Sequence, residues 1–177
     1  MRDKPSLKPP PRKNLRGFLR HMRALVDRLV REEFPELEQV SVIFGNLSTG
    51  EGVLAHWHEE RDAEDFVFRH IFLNTDDEKG RRFYLDADDG KIRNLFRHEL
   101  LHGEMRRMGK PSGDNDLLFI LECLRRRIIL NDSSILAFET VHGRGSLDLF
   151  RKFLPPAETE PILLPENAGV WLRKTGR

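Results

Sequence analysis

The sequence predicts an α+β domain in which a small, twisted, mostly antiparallel sheet packs against two long helices. Three observations support this class. An amphipathic pattern, with apolar residues at three- and four-residue steps, covers residues 15–34. Stretches rich in β-branched and aromatic residues follow between residues 40 and 85. A second helical stretch, residues 89–108, then contains two histidines and a glutamate in a distinctive spacing.

The first helix is predicted to run from Leu15 to Phe34. Its apolar residues recur on one side, and arginines dominate the other side. Asn14 is suited to cap the beginning of the helix, and Pro35 follows its end. We therefore expect this helix to be a structural scaffold, with His21 at the border of its two faces as a surface histidine.

Four segments between the helices are predicted as strands. They are Val40–Phe44, Gly52–His58, Asp65–Asn74 and the short Arg82–Leu85. Side chains alternate along a strand, so His56 and His58 share one face and could in principle bind a metal ion there. Because exposed histidines are common on strands, we expect these two to be surface residues.

The helix that follows has clear signals at both ends. Asp88 and Asp89 offer acceptors and negative charge where the helix begins. Gly109 is suited to the left-handed conformation that ends many helices, and Pro111 prevents continuation. Apolar residues surround the helix on more than one side, which predicts burial on most sides. These residues are Ile92, Leu95, Phe96, Leu100, Leu101, Met105 and Met108.

The middle of this helix reads Arg-His-Glu-Leu-Leu-His at residues 97–102, which contains the pattern H-E-x-x-H. Residues four apart share one helical face, so His98 and His102 can both offer a ring nitrogen to one Zn2+ ion. Glu99 lies about 100° around the helix from His98, where its carboxylate can accept a proton from water at the metal. Chance is the alternative explanation, but the chain has only 7 histidines in 177 residues, so we favour a zinc site.

A scaffold helix, a small sheet and a helix bearing His98-Glu99-Leu100-Leu101-His102 together resemble the minimal catalytic half of the zincin metallopeptidases, over residues 15–130. The resemblance implies a peptidase in which Glu99 is the catalytic base. In that family an edge strand beside the active helix pairs with an extended substrate. Residues 66–74 are the first candidate for that edge strand, and residues 82–85 are the second candidate.

The third metal ligand distinguishes the branches of this family. A metzincin needs glycine and histidine where this sequence has Met105 and Met108, so that branch is excluded. A gluzincin supplies a glutamate from a later helix, and this implies Glu122, which follows the second histidine by 20 positions. The flanking Leu121 and Arg125 depart from the usual gluzincin pattern, which has Asn before this glutamate and Asp or Ser three residues after it.

Other roles for this region stay open. Glu122 would alternatively form ion pairs with Arg125 or Arg126 at i+3 and i+4 on one helix. Four further residues are candidate third ligands: His142, Asp114, Asp116 and Glu139. The donor that stabilises the oxyanion of a carbonyl under attack is expected among His142, Arg144 and Tyr84. Residues 131–134 are predicted as a loop, 135–141 as a short helix or strand, and 146–154 as a helix.

Length and composition are those of one soluble globular domain, with 38% hydrophobic and 33% charged residues. No apolar run approaches the roughly 20 residues that cross a membrane. The beginning of the sequence lacks the apolar segment of a secretory signal. The single cysteine, Cys123, cannot form an internal disulfide and is expected in the core. Together these features predict a cytoplasmic protein.

Charge is unevenly distributed, because residues 1–31 contain ten basic and two acidic residues. The first twelve residues include four prolines, which predicts an extended or disordered arm. Such a basic arm is a candidate for contact with nucleic acid or an acidic partner. We expect an arm at residues 1–14, a zincin-like domain at 15–154, and a linker with a C-terminal tail at 155–177.

The sequence thus predicts a zinc-dependent metallopeptidase that hydrolyses peptide bonds. His98, His102 and Glu122 are predicted to hold Zn2+, and Glu99 to act as general base and then as proton donor to the leaving amine. The competing prediction is a non-catalytic binding module with a zincin-like fold, whose basic arm contacts nucleic acid or a protein partner.

Overall fold

The structure is a computed structural model that describes residues 15–45, 53–75 and 78–153. The elements in these ranges are, in chain order, α1 (Leu15–Glu33), β1 (Val40–Gly45), β2 (Ala55–Arg61), β3 (Val67–Asn74), α2 (Glu78–Asp86), α3 (Asp89–Arg107), α4 (Leu117–Arg125), α5 (Asp132–His142) and α6 (Ser146–Phe153).

The chain divides into two units, Met1–Glu104 and Met105–Arg177. The predicted arm at residues 1–14 and the predicted tail at 155–177 lie outside the described residues, so the proposed domain boundaries stay predictions. No helix in the described parts of the chain combines the length and the apolar character needed to cross a bilayer.

Helix α1 confirms the predicted scaffold helix of the first unit. Its apolar face is fully buried at Met22, Val26 and Leu29. The helix ends where expected, because Phe34 donates its amide to the carbonyl of Val30 at 3.2 Å and Pro35 follows. The predicted cap, Asn14, lies outside the described residues.

The three described strands form one sheet in the order β1-β3-β2. Strand β1 runs parallel to β3, and β2 runs antiparallel to it, so the sheet is mixed rather than mostly antiparallel. Ile71 of β3 is in register with Val42 on one side and Trp57 on the other, and all three are buried. The α+β class is confirmed.

Strand β3 is the central strand, paired on both sides. The expectation that residues 66–74 form the substrate-binding edge strand is therefore wrong, since the backbone groups of β3 are already used by β1 and β2. Among the described strands, the two edges of the sheet are β1 and β2.

The segment predicted as a short strand, Arg82–Leu85, belongs instead to helix α2. Its aromatic residues favour a strand, but the contacts that they make in the fold are those of a helix. Tyr84 is buried, its ring lies 6.4 Å from that of Phe18, and its hydroxyl donates to the carbonyl of Leu54 at 2.6 Å. Tertiary packing thus overrides local strand propensity, and this segment is not an edge strand.

Helix α3 is buried on most sides, as predicted. The buried apolar residues are Ile92, Leu95, Phe96, Leu100, Leu101 and Met105. Met108 was expected among them but is 40% exposed, because α3 ends at Arg107 and Met108 follows in the turn.

The second unit consists mainly of helices α4, α5 and α6. Cys123 is completely buried, as predicted. The predicted loop at residues 131–134 is instead the beginning of α5, since the side chain of Asn131 accepts a hydrogen bond from the amide of Ser134 at 2.8 Å. The predicted helix at residues 146–154 corresponds to α6.

Candidate metal centre

The candidate centre is on α3, and the helix begins where the sequence indicates. The carboxylate of Asp88 accepts a hydrogen bond from the amide of Lys91 at 2.8 Å, which is the geometry of an N-cap. Asp89 follows as the first helical residue and places a negative charge in the first turn. The motif therefore starts more than two turns into a capped helix.

The end of α3 is fixed by a Schellman motif. The amide of Lys110 donates to the carbonyl of Met105, and the amide of Gly109 donates to that of Arg106, each at 2.9 Å. Gly109 has a φ of 66°, the left-handed conformation predicted for it. The two ends together keep residues 98–102 away from fraying termini.

The imidazoles of His98 and His102 converge. Their Nε2 atoms lie 3.1 Å apart, and the ring centroids are separated by 4.8 Å. Two nitrogens that share a tetrahedral zinc ion at about 2.0–2.1 Å would be separated by roughly 3.3 Å. The two nitrogens thus lie close enough together to bind one metal ion.

Glu99 completes this group. Within residues 15–45, 53–75 and 78–153, the side chains of His98, Glu99 and His102 form one group whose possible ligand atoms all lie within 4.8 Å of one another. His98 is 4% exposed and Glu99 is 6% exposed, while His102 is partly open to solvent. A buried carboxylate beside two imidazoles is an arrangement suited to metal binding or to proton transfer.

A close contact holds α3 against β2. A Cβ atom built on Gly103 would lie 2.3 Å from Cζ2 of Trp57, a buried residue of β2. Only glycine permits this approach, which places the backbone next to His102 against the indole ring. The sequence contained a signal for it, since glycine inside a helix often marks close packing.

Tyr84, one of the predicted oxyanion donors, has another hydrogen-bond partner. Its hydroxyl donates to the carbonyl of Leu54, which also accepts the amide of Asn74 at 2.9 Å. Burial raises the pKa of Tyr84 far above its ordinary value, and the charge of Glu99 raises it further. Tyr84 is therefore a neutral residue that ties α2 to the beginning of β2.

Charged contacts join α1 to α3. Glu33, at the end of α1, accepts hydrogen bonds from Arg93 and Arg97, each at 2.6 Å. Burial raises the pKa of Glu33, but the hydrogen bonds and charges of the two arginines outweigh it, so the pKa lies below 4.5. His21, expected at the surface, lies 3.1 Å from the Asp89 carboxylate. This network was not predicted from the sequence, although Arg93 and Arg97 are four apart on one helix.

Glu122, the predicted third ligand, is in the second unit. Its carboxylate is held by Arg125 and Arg126, with Arg125 Nε at 2.8 Å and Arg126 Nε at 2.6 Å. The hydrogen bond from Arg125 lowers the pKa of Glu122 most, Arg126 lowers it further, and burial opposes them, leaving a pKa of about 2. The ion pairs of Glu122 with Arg125 and Arg126, which the sequence suggested as the alternative, are present. The assignment of Glu122 as a metal ligand stays a prediction.

The other candidate ligands of this unit have partners of their own. The ring of His142 contacts the carbonyl of Asn115, with its Nε2 atom at 2.8 Å. Glu139 accepts the amide of Gly145 at 2.9 Å. Asp116 accepts the amide of Gly113, and Asp114 lies half-buried in the same loop. Arg144, a predicted oxyanion donor, is exposed.

Comparison with known proteins adds no family to this description. No protein-family model, curated protein or solved structure matches the chain.

Proposed function

We propose that the protein is a zinc-dependent metallopeptidase whose centre is formed by His98, Glu99 and His102. The observation that supports this most is the convergence of the two Nε2 atoms at 3.1 Å beside a buried carboxylate. Imidazole nitrogens are preferred ligands of zinc, and two of them one helical turn apart form a rigid chelating pair.

Each residue of the centre has a distinct role in this proposal. His98 and His102 would hold the zinc ion, with Glu122 predicted as the third ligand. Zinc, when bound, supplies the Lewis acidity that lowers the pKa of water towards neutrality. Glu99 accepts the proton of the attacking water as general base and returns it to the nitrogen of the leaving amine as general acid.

The edge strand β2 is the substrate-binding strand in this proposal, in place of the central strand β3. Two observations support the choice. Among the described strands, β2 pairs only with β3, and an edge strand is where an extended peptide adds to a sheet. The contact of Trp57 with Gly103 holds β2 beside the helix that carries the histidines.

Two variants test the mechanism. Glu99→Gln should retain zinc but lose turnover by about 10²–10⁴-fold, because the general base is removed while the histidines stay. His98→Ala should lose both zinc and turnover. Zinc is measured by elemental analysis of protein purified without added metal, and turnover by mass spectrometry of a library of unstructured peptides.

A matched control is Glu32→Gln, which removes an exposed carboxylate of α1 and should leave both readouts unchanged. Peptide cleavage by Glu99→Gln at the wild-type rate would refute the mechanism. Cleavage that persists after complete removal of zinc would refute the metal dependence.

The second candidate function is a binding module for nucleic acid. It is favoured by the outer face of α1, where Arg20, Arg23, Arg28 and Arg31 are all exposed. Arginines contact phosphates, and binding that depends on them weakens steeply with salt. Deletion of residues 1–13 together with Arg20→Glu should then abolish salt-sensitive binding of a labelled oligonucleotide. Such binding, combined with an absence of peptide cleavage in the zinc-loaded wild type, would favour this function over the peptidase.

A further inference from the structure

A second cluster of metal-binding residue types lies on the sheet, on the face opposite the core. His58 of β2 is in register with His70 of β3. Side chains alternate along each strand, so the buried Trp57 and Ile71 point to the core and these histidines to the other face. Glu60 follows two positions after His58 and lies on the histidine face as well.

The carboxylate of Glu60 lies near both imidazoles. Its Oε2 atom is 3.6 Å from Nε2 of His58, and its Oε1 atom is 3.9 Å from Nε2 of His70. These separations are too long for good hydrogen bonds. They are close to the roughly 3.0–3.4 Å that separates two ligand atoms sharing one ion at about 2.0–2.2 Å. The two contacts involve different oxygens of one carboxylate, so the side chains have to rotate before one ion can bind all three.

Phe72 restricts the orientation of both rings. Its ring meets that of His58 edge-on at 5.6 Å and that of His70 at 6.0 Å. The two imidazoles are nearly parallel, with an interplanar angle of 17° and centroids 6.4 Å apart. The Nδ1 atom of His70 is buried, so Nε2 is the nitrogen that faces the carboxylate. The rings are too far apart to share an ion as they stand. Because directly opposed residues of antiparallel strands have Cβ atoms about 4.5–5.5 Å apart, rotation of the two side chains can bring both imidazoles to one ion.

We propose that His58, Glu60 and His70 form a second metal site, which takes a borderline divalent transition-metal ion such as Zn2+ or Ni2+. Two imidazoles and one carboxylate suit these ions, whereas Ca2+ and Mg2+ prefer shells of oxygen ligands. The side chains of His58 and Glu60 are 44% and 61% exposed, which leaves space for water to complete the coordination. This site does not depend on the proposed function, because it shares no residue with the α3 centre.

The test uses the full chain with the α3 centre removed by His98→Ala and His102→Ala. Calorimetric titration of this variant with Ni2+ alone should show one bound ion per chain. Adding His58→Ala should weaken that binding by at least about tenfold, because a ligand is lost, and Glu60→Gln should weaken it in the same direction. His142→Ala, which removes an exposed histidine of the second unit, is the matched control and should leave the affinity unchanged.

A second measurement applies should the double variant fail to fold. In the wild type, Zn2+ should shift the imidazole proton signals of His58 and His70 in NMR spectra, and His58→Ala should lower the number of bound ions by one. Unchanged affinity and stoichiometry in His58→Ala would overturn the proposal, as would a loss of all binding on removal of His98 and His102 from a folded chain. If the wild type binds metal at His58, Glu60 and His70 but not at His98 and His102, that result would contradict the proposed function and leave this second site supported.

Discussion

The backbone of Gly103 lies directly against the indole ring of Trp57, with room for no side-chain atom between them. This contact joins the helix that carries the two converging imidazoles to an edge strand of the sheet. It fixes the distance between α3 and β2 more tightly than ordinary side-chain packing, because neither partner has a flexible end that could give way.

Gly103→Ala is therefore expected to destabilise the protein, although alanine favours helices more than glycine does. The added Cβ would lie 2.3 Å from Cζ2 of Trp57, and the strain of overpacking should cost about 1–3 kcal/mol of unfolding free energy. Urea unfolding measures the change. Gly45→Ala is the control, since a Cβ at position 45 meets no atom within 4 Å, and it should change stability by less than about 1 kcal/mol. A Gly103→Ala variant as stable as the wild type would contradict the close contact.

Asp88→Ala should remove the cap of α3. The amide of Lys91 loses its acceptor, which should cost about 1 kcal/mol of unfolding free energy. The matched control is Asp86→Ala at the exposed end of α2, with an expected change within about 0.5 kcal/mol. Equal effects of the two variants in thermal unfolding would show that the carboxylate of Asp88 does not act as a cap.

Glu33→Gln should destabilise the protein in a pH-dependent manner. The pKa of Glu33 is lower in the folded chain than its ordinary value of 4.5, so the folded state favours the charged form. The stabilisation is fully present above pH 4.5 and is lost as the pH falls below it through the folded pKa. The difference in unfolding free energy between wild type and variant should be about 1 kcal/mol at pH 7 and smaller at pH 3. A difference that grows on acidification would contradict the ion pairs with Arg93 and Arg97.

Glu122→Gln separates the two interpretations of this glutamate. As a third ligand, its loss should weaken zinc binding at least about tenfold in a competition titration with a chelator. His142 is another candidate for the third ligand, but its ring contacts the carbonyl of Asn115. His142→Ala should therefore leave the affinity for zinc unchanged. A variant of Glu122 with normal zinc affinity and only reduced stability would assign the residue to its ion pairs with Arg125 and Arg126 alone.

The helices α1 and α3 were predictable because their signals are local. Apolar periodicity, an aspartate cap and a terminal glycine all act within a few residues of one another. The convergence of His98 and His102 follows from the same cause, since one helical turn fixes their relation without any other part of the fold. The α2 helix was not predictable from its sequence, because the partner of its Tyr84 hydroxyl, the carbonyl of Leu54, lies 30 positions earlier in the chain.

The order of the strands in the sheet could not be predicted from the sequence either. Alternation of apolar and polar residues shows which side chains face the core, but it carries no information on which strand lies next to which. The central position of β3, and with it the pairing of His58 with His70, depends on contacts between distant segments. The electrostatic network of Glu33 was missed for the same reason, since Arg93 and Arg97 lie about 60 positions further along the chain.

The strand order β1-β3-β2 also has a kinetic consequence. Strand β1 leaves the ribosome first, yet its hydrogen-bonding partner is the last of the three to be made. Strands β2 and β3 are neighbours in the chain, so they can form a hairpin soon after synthesis. The pairing of β1 with β3 requires that β3 has been made, and it is slower because the two strands are distant in the sequence. We expect substitutions at the β1–β3 seam, such as Val42→Ala, chiefly to accelerate unfolding, and substitutions within the hairpin to retard refolding.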